Sequence, residues 1–169
     1  MRTASSRSSS EPQAAALLAA IQRDGFAFVQ GTAMRDLIAS FGSLADWDAF
    51  AASWNNLELD TYMADGGRYR RRRHATFAAR RDALVRKPHR PHYQTVDYNP
   101  LHGGIERWFE PIEAGIGGGP TLTAVLVCCR ALFGSLAPDT VAWHVEVHQF
   151  RIEARAGEQG RPTPEGLHR

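Results

Sequence analysis

The stretch Thr140 to Glu153 (TVAWHVEVHQFRIE) constrains this chain more than any other, because it alternates side-chain character with the period of two that belongs to a β-strand. Trp143, Val145, Val147, Gln149 and Arg151 share one face, and His144, Glu146, His148, Phe150 and Ile152 share the other. A strand this long, apolar on both faces for most of its length, needs neighbours to pair with it and layers to cover it. A second alternating run, Gly66 to Ala78 (GGRYRRRRHATFA), opens with a turn and reads as a strand, with a helix as the alternative for its second half. It places Tyr69, Arg71, Arg73, Ala75 and Phe77 on one face and Arg68, Arg70, Arg72, His74 and Thr76 on the other.

The remainder is rich in helical signals. Ser10 reads as an N-cap, with Pro12 in the first turn and Gln13 completing a capping box; Ala14 to Ile21 forms the apolar body and Gly25 the stop. Thr32 caps a second helix, Met34 to Phe41, and a third follows around Asp46 to Trp54. Between the first two, Phe26 to Gln30 (FAFVQ) reads as a short strand. Pro88 to Pro100 reads as extended or looped chain, and Ile105 to Ala114 as helix. After the Gly117-Gly118-Gly119-Pro120 breaker, Thr121 to Leu136 is apolar nearly all round, so a deeply buried helix is expected there. Helices first and strands later predict an α+β arrangement in one domain, residues 11–169, after a polar, acid-free tail at 1–10 expected to be disordered.

Composition narrows the function classes. No apolar run approaches the ~20 residues of a membrane span, so no membrane partner is expected. The two cysteines, Cys128 and Cys129, are helix neighbours that point apart, which excludes a disulfide scaffold and favours a reducing, cytoplasmic setting. Net charge is only +2, yet the basic residues concentrate between Arg68 and His92, where Asp82 is the single acid. That run fits either a charged edge strand that discourages edge-to-edge pairing or an electrostatic footprint for nucleic acid. Few aromatic residues are interleaved for base stacking, so a nucleic-acid partner is not expected. Walker loops, Gly-x-Gly-x-x-Gly and zinc-type Cys/His spacings are absent from the sequence. The glycine triplet could hold an anion at a helix start, but reads more simply as a connector.

His144-x-Glu146-x-His148 has the residue types of a two-histidine, one-carboxylate metal site. At about 3.3 Å per residue the two histidines stand roughly 13 Å apart on a straight strand, so at most His144 with Glu146, or Glu146 with His148, can reach one ion. Hydrogen-bonded polar residues on a strand face are the simpler reading. Cys128 and Cys129 lie in the most apolar helix, where a core thiol is usually inert.

Three stretches together resemble one known family: GGRYRRRRHATF at Gly66 to Phe77, YNPLHGGIERWFEPI at Tyr98 to Ile112, and VAWHVEVHQFRIEARAGEQGRPTPEGLHR at Val141 to Arg169. The chain is similar there to the bacterial 2-oxoglutarate and Fe(II)-dependent dioxygenases that include free L-amino-acid hydroxylases and biofilm-associated homologues. The resemblance implies a double-stranded β-helix, or jelly roll, of which this chain would supply the N-terminal helices and part of the major sheet. It implies Fe(II) as cofactor, 2-oxoglutarate as co-substrate and a small molecule such as a free L-amino acid as substrate. Within Pro-Glu-Gly-Leu-His-Arg at Pro164 to Arg169, His168 maps onto the first iron ligand; the carboxylate two positions on, the distal histidine and the basic residue for 2-oxoglutarate would follow Arg169. One ligand of three predicts no turnover by this chain, a C-terminally incomplete sheet and self-association through exposed strand edges. No residue is assigned as catalytic. Gln149 and Arg151, alternating onto one face just upstream, are expected to line the co-substrate or substrate pocket, His148 on the other face to be structural, and Arg71 or Arg73 to offer a carboxylate partner. The competing reading is a non-catalytic small-ligand-binding or interaction remnant built on a partial sheet.

Overall fold

The computed structural model describes residues 7–63, 66–100 and 103–154. Helices α1 (Arg7–Asp24), α2 (Gly31–Ala39) and α3 (Trp47–Ala52) come first, the last continued by a 3-10 turn at Ser53–Asn56. Strands β1 (Glu58–Leu59), β2 (Arg70–Arg80) and β3 (Ala83–Arg86) follow, then α4 (Ala114–Gly117), α5 (Pro120–Leu136) and β4 (Ala142–Ile152). The mixed helix and antiparallel-sheet order is the expected α+β class.

β2 is the central strand. Along one edge it pairs with β4 over its whole length, from Arg70 opposite Ile152 to Arg80 opposite Ala142. Along the other it pairs with β1 near Arg71 and Arg72 and with β3 from Phe77 to Arg80. The gap between those two is filled by the 110–112 segment: the His74 N–H donates to Glu110 O, and the Ile112 N–H to His74 O. The arginine-rich run is therefore the middle of the sheet rather than a solvated edge, and neither Arg70 nor Arg72 is exposed to a nucleic-acid partner. A charged residue tolerates that position only with a partner. Buried Asp60 supplies it, 2.7 Å from Arg70 Nε and 3.5 Å from Arg72.

The two sheet faces differ in chemistry, as the period of two requires. Ala75 and Phe77, joined by Val145 and Val147 of β4, pack against Leu122 and Leu126 of α5 and against Ile112. A second apolar cluster, Leu17, Leu37, Cys128 and Leu132, ties α1 and α2 to the far side of α5. The helices thus form a layer on one face of the sheet. The opposite face presents Arg70, Arg72, His74 and Thr76 with Glu146, His148 and Phe150, and the extended chain carrying His92, Arg107 and Phe109 covers part of it.

Two sequence expectations change. Phe26 to Gln30 is not a strand: Ala27 and Val29 pack into the helical cluster while Phe26 and Phe28 are 73% and 85% exposed. Its alternation was real, but its neighbours are helices with no strand edge to offer. Ile105 to Glu113 is not helical, and only Ala114 joins a helix, since the backbone bonds of Arg107 and Ile112 and the carbonyl of Glu110 go across to His74 and His92 instead of along a helix. Helix α1 begins already at Arg7, ahead of the Ser10 cap read from the sequence, and ends as expected at Gly25, whose φ of +80° suits glycine. No described helix is long and apolar enough to cross a membrane.

Candidate metal centre

Register builds this site. His74 of β2 lies directly opposite His148 of β4, and Thr76 lies opposite Glu146, so Glu146 is one diagonal step from His74 on the same face. The His74 and His148 rings stack with centroids 4.7 Å apart. His92 arrives from the proline-rich segment, held by reciprocal backbone bonds of 2.9 and 3.0 Å with Arg107, and sets its ring edge-on to His148 at 4.8 Å and to His74 at 5.5 Å. One potential ligand atom from each of His74, His92, Glu146 and His148 falls within 4.8 Å of the others.

The Glu146 carboxylate is the hub. Its Oε2 is 2.9 Å from His92 Nδ1 and 3.4 Å from His148 Nε2, and its Oε1 is 3.5 Å from His144 Nε2. The His92 ring is turned so that no aligned N–H···O bond forms despite the short distance. His148, then His92, hold the Glu146 carboxyl well below the usual carboxylate range. Burial pushes the His74 imidazole down to about 3, with His148 adding to the effect, and burial also lowers His148. The His74 ring is therefore neutral at physiological pH, with a lone pair to offer. His74 is 1% exposed, and neither of its ring nitrogens has a hydrogen-bond partner among the described residues. Buried polar groups are normally paired, so this imidazole is an exception that needs a cause.

The donor set, imidazoles with one carboxylate, is of the kind that divalent zinc and iron take. Donors bound tetrahedrally at about 2.0–2.2 Å stand roughly 3.3–3.6 Å apart, so the widest pair, within 4.8 Å, has to close by between about 1 and 1.5 Å. Arg72 limits which rings can take part. Its guanidinium donates to His148 Nδ1 at 2.6 Å, and arginine has no acceptor, so the neutral His148 proton sits on Nε2.

The residues expected from the sequence fall differently. Glu146 and His148 do converge, which the straight-strand distance allowed for adjacent pairs; His144 turns instead to Lys87, whose ammonium donates to its Nδ1 at 2.7 Å. His148 belongs to the cluster rather than to a purely structural face. Gln149 and Arg151 lie on the helical side: Gln149 is buried and donates to Ser53 Oγ at 2.7 Å, while Arg151 donates to Trp54 O and to Glu153. Arg71 shares Glu153 with Arg151, and Arg73 donates to Asn56 O and Pro111 O. His168 lies outside the described residues. The sequence reading missed His74 and His92; the available signal was that His74 falls on the even-numbered face with Arg70 and Arg72, the parity that pairs with Glu146 and His148.

Beside the cluster, a groove of about 500 Å³ runs between α5 and β4, lined by Leu122, Leu126, Phe133, Trp143 and Val145, with Glu146 and His148 among its walls.

A structure described as a bsmA homologue from Methylobium petroleophilum PM1 superposes with a TM-score of 0.80 at 39% identity, covering 92% of this chain and 62% of that one. A structure described as IDO from Bacillus thuringiensis, at 14% identity, shares the fold with a TM-score of 0.61 over 92% of this chain and 61% of its own. This chain therefore spans about three-fifths of the length of each. No curated protein matches it. A family model described as 2OG-Fe dioxygenase matches residues 51–169, which takes in β1 to β4, the histidine cluster and His168. The chain belongs to the 2OG-Fe dioxygenase family.

Proposed function

We propose that this chain is the N-terminal portion of an Fe(II)- and 2-oxoglutarate-dependent dioxygenase that hydroxylates a small molecule, a free L-amino acid being the substrate class favoured. The observation that carries the reading is the match to the 2OG-Fe dioxygenase model from residue 51 to residue 169. A sheet with one face on helices and the other lined by Arg70, Arg72, His74, Glu146 and His148 supports it. On this reading the sheet is half of a double-stranded β-helix, and its polar face looks into the barrel. When bound, Fe(II) with 2-oxoglutarate and O2 supplies the oxidation of a C–H bond, with succinate and CO2 as co-products.

His168 would be the first ligand of that iron. The chain's own described residues prepare the wall around it. Arg72, held by Asp60 and packed over Phe109 at 3.6 Å and Phe150 at 4.3 Å, fixes the His148 ring on that wall through its bond to Nδ1. Phe109 and Phe150 keep that face apolar around the charge. Gln149 and Arg151 act from behind, fixing β4 to the Ser53–Asn56 turn so that His148 and Glu146 keep their positions. The far edge of β4 pairs with no strand among the described residues, and on this reading it is where the second half of the barrel, or a second copy, adds.

The substrate class is tested with protein extended past Arg169 by the corresponding part of the Methylobium relative, incubated with Fe(II), 2-oxoglutarate and a mixture of free L-amino acids. Mass spectrometry is expected to show one amino acid gaining an oxygen atom. Uncoupled consumption of 2-oxoglutarate with no oxygenated amino acid would remove that class.

A further inference from the structure

His74 is the group that the dioxygenase reading leaves unexplained. A leucine or phenylalanine would fill this buried strand position without stranding two ring nitrogens. Its neighbours on the same face are a second imidazole and a carboxylate, each delivered by a separate element: His74 by β2, Glu146 by β4 and His92 by the covering segment. We infer that His74, His92 and Glu146 form a divalent-cation site whose ligands include no residue of the His168 motif, selective for ions of the zinc, cobalt and iron class.

Supporting contacts assign the roles. Lys87 donates to His144 Nδ1, so the His144 proton sits on Nε2, 3.5 Å from Glu146 Oε1. That oxygen faces a donor, and Oε2 is the one turned to His92 and His148. His148, fixed by Arg72 with its proton on Nε2, serves Glu146 as a donor and not the ion as a ligand. Such outer partners orient the ligands of metal sites. Two imidazoles and a carboxylate suit borderline ions, whereas magnesium and calcium require oxygen donors. Arg72 nearby is a further bar to weakly coordinating cations, because only an ion with strong nitrogen affinity offsets the repulsion. None of the three ligands follows Glu146 in the chain, so the site stands independently of the dioxygenase reading.

The experiment is a titration of the untagged, chelator-stripped 169-residue chain with Co2+, followed by its visible ligand-field absorption, with Zn2+ competition and a Mg2+ control. One equivalent of Co2+ is expected, displaced by Zn2+ and untouched by Mg2+. His74→Leu is expected to weaken binding by at least ~100-fold, the upper range for changes even to supporting residues, and Glu146→Gln to do the same. Circular dichroism establishes that each variant folds; Glu146 is partly exposed, so Glu146→Gln carries the test if His74→Leu does not fold. His168→Ala is expected to leave the cobalt spectrum as it is. Absence of binding, or binding retained in Glu146→Gln, overturns the inference. Binding lost in His168→Ala overturns it too, while leaving the dioxygenase reading standing.

Discussion

Arg72 donates a hydrogen bond to His148 Nδ1 at 2.6 Å, and this one contact sets the tautomer of the ring that faces Glu146. Because guanidinium only donates, Nδ1 must keep its lone pair, and the proton must sit on Nε2. Long-range 1H–15N correlation of the metal-free chain at neutral pH is expected to show the Nε2–H form for His148, and a mixture of tautomers in Arg72→Met. A Nδ1–H signal in the unsubstituted chain would show that the contact does not govern the ring.

Asp60 is the buried anion that makes an arginine-filled strand interior tenable. It sits 2.7 Å from Arg70 and 3.5 Å from Arg72, with no exposure of its own side chain. Removing one partner from a buried pair leaves an uncompensated charge, which costs about 3–5 kcal/mol. Asp60→Ala is therefore expected to lower unfolding stability by that amount in urea denaturation, enough to unfold a marginal domain. A loss under about 1 kcal/mol, the range of an exposed pair, would place the pair effectively in solvent.

The start of α5 is capped from a distant part of the chain. Asp46 accepts the Thr121 backbone N–H at 2.8 Å and also the Thr121 hydroxyl. Gly119 admits the carboxylate because a side chain there would collide with Asp46 Oδ2. The Thr121 hydroxyl bond, followed by the backbone bond, holds the Asp46 carboxyl below its ordinary value. A folded-state pKa depressed in this way contributes stability that is present above the unfolded value and lost as pH falls through the folded one. Asp46→Ala is expected to lower the melting temperature at pH 7, and the gap from the parent chain is expected to narrow on acidification below about pH 4. A constant gap across that range would separate Asp46 from the cap.

Cys128 is placed to be inert. Cys128 is buried in the helical cluster, and burial pushes its thiol up to about 11; burial raises Cys129 as well. Since the thiolate is the reactive form, labelling of Cys128 at pH 8 by a disulfide exchange reagent is expected only after denaturant is added. Rapid labelling of Cys128 in the native chain would contradict its place in the core.

The strands were legible because their period is local: the alternation of Val145, Val147 and His148 needs no knowledge of partners, and the face assignments read from it hold in both β2 and β4. What the alternation cannot tell is which face meets the helices, and that choice sends Gln149 and Arg151 to the Ser53–Asn56 turn and His148 to the cluster. His74 and His92 were hidden for the same reason, since they meet Glu146 only through the β2–β4 register and a backbone bridge between His92 and Arg107. The helix read at Ile105 to Ala114 failed on tertiary pairing, where β2 and His92 claim the backbone groups that a helix would have used.

The central claim is that His168 opens the iron site of a 2-oxoglutarate-dependent oxygenase, and the most direct test is release of succinate and CO2 from 2-oxoglutarate. Protein extended past Arg169 by the corresponding part of the Methylobium relative is assayed with Fe(II) and O2, beside its His168→Ala variant. The account predicts Fe(II)-dependent succinate formation in the extended protein and its loss in the variant. Equal succinate from both would contradict it.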